Sequence, residues 1–352
     1  MQGEFMSHLD RTQTINLGSF YTPKNIVNLA YAMLESRLDL DKYLLLDSAC
    51  GSGDFFIKHY NYLGVDIDKV ALQAVPRHIK TIHTNALSNV SRKAFGIDEK
   101  QPLIIIGNPP YNDKTSLTKN TIKTHICDID KQLSCRDLGI AFLRSYAVLQ
   151  ADFVCVLHPL SYLIKRANFN ALSNFKECYH LIDSLIISSE VFAPKSSTFF
   201  PIIIALYERS AQGMDFSFIQ NYDFKVDNGS IICLNRFDFI TNYVCKYPNP
   251  KDTRKEVAYF HTLRDINALK RNKTFLPSPT DHSIRVFSEN LAYYYYIHHF
   301  KYFAHRLPYY FGNFDIFIDN KAFLKVCRNF LQLERNAVIE DYFDTLFKDF
   351  VR

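Results

Sequence analysis

The sequence predicts an α/β protein with a mostly parallel sheet in its N-terminal part and a second domain after it. Short apolar runs alternate with helix-like segments up to about residue 207, and this rhythm stops beyond that point. Continuous apolar strands that alternate with helices are typical of parallel sheets covered on both faces. We therefore expect one domain over residues 1–211 and a second over residues 212–352.

Seven apolar runs are the predicted strands of this sheet. They cover residues 43–46, 61–65, 80–84, 103–106, 153–157, 185–187 and 202–206. Helical patterns between them include Asn25–Leu38 and Arg136–Leu149. Apolar runs of this length, bounded by turn residues, fit buried strands, so we expect a seven-stranded sheet.

The composition is that of a protein with a substantial core. Of 352 residues, 47% are hydrophobic and 22% are charged, which is ordinary for globular domains. No apolar run is long enough to predict a membrane span, and residues 1–6 do not resemble a signal peptide. The eight cysteines form no C-x-x-C pair, which favours reduced, buried thiols in the cytoplasm over a disulfide framework or a metal site.

The positive charge of the chain is concentrated in one window. Residues 246–273 hold eight Lys and Arg against three acidic residues, an excess equal to the net charge of +5 of the whole chain. Local clustering of this kind favours binding to a polyanion, although a solvated face remains the alternative. The candidate contacts are Lys251, Arg254, Lys255, Lys270, Arg271 and Lys273.

Aromatic residues are enriched in the predicted second domain. Of the 52 Phe and Tyr residues, 30 lie in the last 142 positions, and Tyr293–Tyr296 are consecutive. Such a run fits either a packed core or a platform on which bases stack, and a core is the more frequent outcome. The βαβ rhythm is lost here, so we expect irregular or mixed structure.

A glycine-rich motif, Asp47–Phe55, follows the first predicted strand and is expected to open a helix. Gly51 and Gly53 permit a sharp turn that approaches a ligand closely, although a purely structural turn would need the same residues. Asp66 and Asn85 end the next two strands, where nucleotide-binding α/β proteins contact ribose and base. Together these positions predict a cofactor site at the carboxyl ends of the strands.

The tetrapeptide Asn108-Pro109-Pro110-Tyr111 ends the fourth predicted strand. An exocyclic amine on an aromatic base is a poor nucleophile because its lone pair is delocalised into the ring. The Asn108 side-chain oxygen and the Pro109 carbonyl can accept hydrogen bonds from both amine protons and so direct the lone pair toward an electrophilic methyl group. Two prolines stiffen the loop, and Tyr111 offers an aromatic face.

These motifs resemble those of the DNA adenine-N6 methyltransferases of the gamma class, in their order and spacing over about residues 17–207. The resemblance implies a Rossmann-like, S-adenosylmethionine-dependent methyltransferase fold followed by a C-terminal target recognition domain. The Asn85 position is often Asp in relatives. The residues implied to bind the cofactor are Tyr21, Thr22, Pro23, Asp47, Ala49, Cys50, Gly51, Asp66, Ile67, Asn85, Ala86 and Asn108, with no metal.

The resemblance also implies how the target base is held. A base within a duplex must be flipped out before it can react, and the family places a second aromatic where Phe200, or else Phe199, stands. Phe142 matches a contact with the cofactor adenine, but a core residue is an equal alternative. The polar stretch Asn112–Lys131 is predicted to close over the site and touch phosphates, unless it is a plain insertion.

We therefore expect a site-specific adenine-N6 methyltransferase acting on double-stranded DNA in the bacterial or archaeal cytoplasm. It would be the modification enzyme of a restriction-modification system with a separate endonuclease. An RNA adenine methyltransferase or a protein-glutamine methyltransferase would use the same Asn-Pro-Pro-Tyr chemistry. Cytosine-N4 methylation usually has Ser in place of Asn108, and the intact motifs argue against a non-catalytic DNA-binding subunit.

Overall fold

The computed structural model of the chain describes residues 21–111, 128–194, 198–281 and 283–350. The described residues fall into two units, one within 1–194 and 202–219 and the other within 195–201 and 220–352. The assignment of a catalytic domain and a recognition domain with a boundary at residue 211 stays a prediction.

All seven predicted runs form strands. These are β1 (Leu44–Asp47), β2 (Asn61–Asp66), β3 (Lys80–His83), β4 (Leu103–Gly107), β5 (Phe153–Pro159), β6 (Tyr179–Ser188) and β7 (Pro201–Arg209). They follow one another across the main sheet in the order β3-β2-β1-β4-β5-β7-β6. Strands β1 to β5 pair in parallel, and β7 pairs antiparallel with β5. The predicted mostly parallel α/β fold is confirmed, but the main sheet has nine strands among the described residues, so the predicted number of seven is wrong.

Strand β4 shows why this sheet forms. Every residue of β4 is buried, and Ile104, Ile105 and Ile106 have no exposed surface. β-Branched side chains pack well on a pleated surface that is covered on both faces. Because β4 lies between β1 and β5, its carboxyl end is in the interior of the parallel part of the sheet.

Two helices of the first unit match the predicted helical patterns. Helix α1 (Lys24–Glu35) follows Pro23 and buries an apolar stripe that includes Val27 and Tyr31, as expected for a helix that packs on a sheet. The other helices that the structure describes in this unit, in chain order, are α2 (Lys69–Leu72), α3 (Leu138–Val148), α4 (Ser161–Ile164), α5 (Arg166–Ala171), α6 (Asn174–Cys178) and α7 (Phe216–Asn221). Asp137 caps α3 by accepting a hydrogen bond from the backbone N–H of Gly139 (2.9 Å).

The prediction that the glycine-rich motif opens a helix is wrong. Residues 48–60, all within the described part of the chain, form turns and no α-helix. Gly51 and Gly53 have left-handed backbone angles, with φ of +52° and +88°, and left-handed residues interrupt a right-handed helix. The Gly53 N–H instead closes a tight turn on the Cys50 carbonyl (2.8 Å).

The second unit contains both strands and helices, as the loss of the βαβ rhythm predicted. Its strands are β8 (Phe224–Val226), β9 (Ile231–Ile232), β10 (Asp238–Phe239), β11 (Ala258–His261), β12 (Phe275–Leu276), β13 (Ser283–Val286) and β14 (Phe317–Ile318). Strands β8 and β9 pair antiparallel, as do β10 and β14, and β11 lies between β12 and β13. Its helices are α8 (Ile266–Arg271), α9 (Leu291–Phe303), α10 (Asn320–Val326) and α11 (Ala337–Phe350).

The tyrosine run lies on α9 and contributes to the core of the second unit. Tyr294 and Tyr296 have no exposed surface. Their hydroxyl groups donate to the backbone carbonyls of Cys245 (3.2 Å) and Phe317 (2.8 Å), which satisfies the polar ends of buried tyrosines. These two tyrosines are therefore core residues. A platform on which bases stack would need other side chains.

The described cysteines are all free thiols. Cys50, Cys155 and Cys233 are buried, whereas Cys135, Cys178, Cys245 and Cys327 are half-buried, so the expectation of buried thiols holds for only three of them. Cys127 lies outside the described residues. Among the helices that the structure describes, none has the length and apolar character needed to cross a membrane.

Candidate active site

The predicted site residues lie at the carboxyl ends of neighbouring strands. Asp47 ends β1, Asp66 ends β2, and Asn108 follows the last residue of β4. Because β2, β1 and β4 are adjacent and parallel, these three side chains share one edge of the sheet. Open α/β sheets bind their ligands at this edge.

Asp66 is held in place by the glycine-rich turn. Its carboxylate oxygens accept hydrogen bonds from the backbone N–H groups of Gly51 (2.7 Å) and Asp68 (2.7 Å). Burial raises the pKa of this carboxyl group, and the two N–H donors act in the opposite direction. A methyl group added at Gly51 would meet no atom within 4 Å. The turn therefore leaves open space beside a carboxylate that is fixed in orientation.

Asp47 is a buried carboxylate at the centre of this edge. It is 3% exposed, and its Oδ1 accepts a hydrogen bond from the Ala49 N–H (3.1 Å). Burial raises its pKa well above the ordinary range, and the nearby Asp66 and Asp54 carboxylates add to the rise. A cationic ligand group beside Asp47 would stabilise its ionised form.

The Asn108 side chain has a paired donor and an unpaired acceptor. Its side-chain Nδ2 donates to the hydroxyl oxygen of Thr22 (3.2 Å). Its Oδ1 is buried and has no hydrogen-bond partner among the described residues. A buried acceptor without a partner costs about 1–3 kcal/mol, so this oxygen is suited to receive a donor from a ligand.

Tyr111 packs against the first turn of α3. A methyl group added at Gly139 would come within 3.0 Å of the Tyr111 Cβ and 2.6 Å of the Tyr162 hydroxyl. The Tyr162 hydroxyl donates to the Asp137 carboxylate, and burial raises the pKa of Tyr111. The Tyr111 side chain thus lies beside a capped helix end. Pro109 is buried and Pro110 is half-buried.

Several other predicted cofactor residues are near in sequence to the residues at this edge of the sheet. Tyr21 and Ile67 are exposed by 38% and 46%, although both are large apolar side chains. Cys50 and Ala86 are buried, and Ala49 and Pro23 are half-buried. Single exposed apolar side chains are common on protein surfaces, so a cofactor contact from Tyr21 or Ile67 stays a prediction.

Asn85 is already engaged by the protein. Its side-chain oxygen accepts from the Leu87 N–H (3.0 Å), and its Nδ2 donates to the Asp128 carbonyl (2.8 Å). Each carbonyl oxygen has two lone pairs, so one acceptor position remains for a ligand. A cofactor contact from Asn85 stays a prediction.

The phenylalanines predicted to contact the cofactor or the target base lie in different units of the structure. Phe142 lies on α3 with 6% of its surface exposed, and its ring is 6.5 Å from that of Tyr146. This burial favours the core alternative. Phe199 and Phe200 belong to the second unit, where both are half-buried and the Phe199 carbonyl accepts from the Asn267 side chain (2.9 Å). Most of the predicted closing loop, residues 112–127 with Lys114, Lys119 and Lys123, lies outside the described residues.

The six basic residues predicted to contact a polyanion differ in their exposure and in their ion pairs. Lys251, Lys255, Arg271 and Lys273 are exposed, while Lys270 is half-buried and burial lowers its pKa. The Arg254 guanidinium pairs with Asp252 (2.5 Å) and with Glu289, and it lies 4.0 Å from the centre of the Phe287 ring. Arg254 is therefore the least available of the six.

The sequence prediction did not identify Asp54, Asp137 or Tyr162. The Asp54 carboxylate accepts from the Thr22 backbone N–H (2.7 Å). An acidic residue directly before an apolar helical run, as at Asp137, is a cap signal that was available from the sequence. Within the ranges that the structure describes, no group of three or more His, Cys, Asp or Glu side chains could hold a metal ion.

Comparisons with known proteins agree with this geometry. Residues 3–74, which include the glycine-rich turn and Asp66, match the family model N-6 DNA Methylase. The chain is 33% identical over 169 residues to the type II methyltransferase M.VspI of Vibrio sp. (strain 343), over 44% of this chain and 39% of the relative. It is 30% identical over 117 residues to the type II methyltransferase M.CvrRI of Paramecium bursaria Chlorella virus XZ-6E, and this match covers 31% of this chain and 28% of the relative.

The matches span well under half of the length of both relatives. Among solved structures, the M protein of the type I restriction enzyme EcoKI aligns with 11% identity and a TM-score of 0.41, over 55% of this chain and 44% of that one. The glycine-rich turn and Asp66 lie within the segment that matches the family model. The N-terminal part of this chain, residues 3–74, is therefore similar to the N-6 DNA methylase family.

Proposed function

We propose that the chain transfers a methyl group from S-adenosylmethionine to the N6 amine of an adenine flipped out of duplex DNA. The proposal rests on the buried, unpaired Oδ1 of Asn108 at the carboxyl end of β4. This oxygen would accept one N–H of the target amine, and the Pro109 carbonyl would accept the other. Both acceptors would draw the amine lone pair out of the ring, which makes it nucleophilic without a general base.

Burial makes this arrangement effective. Pro109 is buried and the Asn108 oxygen is shielded from solvent, so electrostatic interactions at this point are stronger than in water. The two prolines restrict the backbone of the loop. The amine would therefore be held in line with the methyl donor, and orientation of this kind lowers the barrier of a two-substrate reaction.

S-adenosylmethionine would supply an electrophilic methyl group on a sulfonium ion. Its ribose hydroxyls fit Asp66, whose oxygens each keep a lone pair after binding the Gly51 and Asp68 N–H groups. The exposed side chains of Tyr21 and Ile67 offer apolar contacts. The positive charge of the cofactor fits the buried Asp47. The other proposed contacts are Thr22, Pro23, Ala49, Cys50, Asn85, Ala86 and Asn108.

Tyr111 and Phe200 are the proposed stacking partners of the flipped base. Base stacking on an aromatic side chain contributes about 1–3 kcal/mol and does not depend on base identity. That gain would offset part of the cost of flipping, which is a few kcal/mol.

The second unit would recognise the DNA, in the order cofactor region, catalytic region and recognition domain of the gamma class. The exposed Lys251, Lys255, Arg271 and Lys273 would contact phosphates, with further contributions from Lys270 and Arg254. Phosphate contacts position a protein on DNA, whereas base contacts specify the site. Both curated relatives are named type II methyltransferases. A separate restriction endonuclease that acts on the same site is therefore the proposed functional partner.

A cytoplasmic setting in a bacterium or archaeon is part of the proposal. The described cysteines are free thiols, which suits a reducing compartment. The absence of disulfides among them also agrees with a protein stabilised by its hydrophobic core.

Methyl transfer with a labelled donor tests the substrate directly. The full chain is incubated with methyl-labelled S-adenosylmethionine and duplex DNA, structured RNA or a protein mixture, and the labelled atom is identified by mass spectrometry. N6-methyladenine in DNA is the expected product. Label that appears only in RNA or on protein glutamine would overturn the proposal.

Asn108→Ala tests the residue on which the proposal rests. Loss of one such polar contact at a reacting centre typically costs about 10²- to 10³-fold in rate, so single-turnover transfer should fall by at least this factor. Cofactor affinity, measured by calorimetry, should fall far less than the rate, because Asn108 is one of many proposed cofactor contacts. Asn61→Ala, at an exposed position at the start of β2, is the matched control and should transfer as the wild type does. An active Asn108→Ala protein would contradict the assignment.

A further inference from the structure

Thr22 connects two parts of the site that are far apart in sequence. Its backbone N–H donates to the Asp54 carboxylate (2.7 Å), and its hydroxyl oxygen accepts from Asn108 Nδ2 (3.2 Å). Thr22 is only 8% exposed. The resemblance assigned Thr22 to the cofactor, but its hydroxyl faces the catalytic asparagine.

The orientation of the Asn108 carboxamide decides what the substrate meets. A carboxamide has a donor end and an acceptor end. With Nδ2 turned to Thr22, the acceptor Oδ1 is left buried and unpaired. In the reverse orientation the NH₂ group would face the target amine, and two donor groups would be opposed. Only the first orientation can accept a proton of the amine.

We propose that Thr22 is a positioning residue, whose hydroxyl holds the Asn108 carboxamide with its oxygen turned toward the amine that is to be methylated. This inference rests on the proposed function, because it assigns a purpose to the unpaired oxygen in that reaction. It assigns Thr22 a role beyond contact with the cofactor. Thr22 acts through Asn108 and does not touch the reacting atoms.

Three features of Thr22 fix the position of its hydroxyl beside Asn108. The Asp54 carboxylate anchors the backbone of Thr22. A β-branched side chain has few accessible χ1 rotamers, so an anchored threonine presents its hydroxyl in a narrow range of directions. Burial of Thr22 excludes water as a substitute partner for Asn108 Nδ2. Asp54 itself is tied to the glycine-rich turn through the Ser52 hydroxyl (3.3 Å).

The test compares Thr22→Val, which keeps the shape of the side chain but removes the acceptor, with Thr22→Ser, which restores it. At saturating cofactor, single-turnover transfer should fall by about 10- to 100-fold in Thr22→Val, because small misplacement of a reacting contact has effects of this size. Thr22→Ser should recover most of the rate. The dissociation constant of the cofactor is measured by calorimetry for each variant, so that the rates are compared with every protein fully loaded with cofactor.

A second measurement needs no activity. In protein labelled with ¹⁵N-asparagine and free of cofactor, the Asn108 side-chain NH₂ signal is assigned by its loss in Asn108→Ala. Its hydrogen exchange should be slow in the wild type and in Thr22→Ser, and fast in Thr22→Val. Thr22→Ala serves as the second variant if Thr22→Val does not fold, and the thermal midpoint of each protein checks this.

The outcomes separate the two proposals. A wild type that methylates no adenine in DNA overturns the proposed function. Slow Asn108 exchange that persists in Thr22→Val overturns the role of Thr22, whether or not the wild type is active. A lost rate that extra cofactor restores would also overturn it, because Thr22 would then be a cofactor contact only.

Discussion

The carboxylate of Asp47 lies against the α-carbon of Gly107 where β1 and β4 end side by side. A methyl group added at Gly107 would come within 2.7 Å of Asp47 Oδ1. Gly107 also has a φ of +152°, which side chains rarely adopt. Gly107 therefore sets the distance between the buried acid and the loop that carries Asn108.

Gly107→Ala should both destabilise the protein and abolish transfer. Backbone strain of this kind costs about 1–3 kcal/mol, and the clash must displace either Asp47 or the Asn108 loop. Urea unfolding and single-turnover methyl transfer measure the two effects. Gly229→Ala is the control, because Gly229 has a φ of +88° but open space around it. The control should lose stability but keep transfer, whereas equal loss of transfer in both variants would contradict a local role for Gly107.

His158 makes the stability of the fold dependent on pH. It is buried at the carboxyl end of β5, and its Nε2 and the Tyr207 hydroxyl are hydrogen-bonded at 2.7 Å. Burial lowers its pKa from 6.5 to about 4. The unfolded chain therefore binds a proton between these two pH values and the folded protein does not. Stability should rise by about 3 kcal/mol from pH 4 to pH 6.5 through this residue.

Urea unfolding across that pH range checks this prediction. His158→Gln removes the titrating group, so the variant should be less stable near neutral pH but its stability should depend less on pH between 4 and 6.5. A variant that keeps the full wild-type slope would assign the pH dependence to other groups.

The basic window should govern how DNA affinity depends on salt. Each phosphate contact contributes about 0.9 to the slope of log affinity against log salt concentration. Replacing Lys251, Lys255 and Lys273 with Gln should flatten this slope by up to about 2.7, measured by fluorescence anisotropy at several salt concentrations.

A matched control separates local contacts from total charge. Lys42, Lys93 and Lys100 are exposed lysines of the first unit, and their replacement with Gln removes the same charge. This variant should keep the wild-type salt slope. If both triple variants flatten the slope equally, the window acts only through net charge and is a solvated face.

The sequence predicts the sheet well because strand formation depends on local patterns. The β-branched run of β4 predicts a buried strand, and the polar residues that follow β1, β2 and β4 predict where a site forms. The prediction of a helix after Gly51 was wrong, since the two left-handed glycines at positions 51 and 53 favour turns over a helix. Aromatic content alone could not separate core from stacking residues, because Tyr294 and Tyr293 differ only in which face of α9 they occupy.

The sequence by itself determined the kind of chemistry, through Asn108-Pro109-Pro110-Tyr111 and the acidic residues at the strand ends, because these groups act through residue type and local order. Only the tertiary structure decided which partners they have. It brings Thr22 to Asn108 across 86 positions, engages Arg254 with Asp252 and Glu289, and leaves the Asn108 oxygen unpaired. Such pairings depend on how the parallel strands are ordered in the sheet and how the loops meet, and local propensity carries no information about contacts between distant residues.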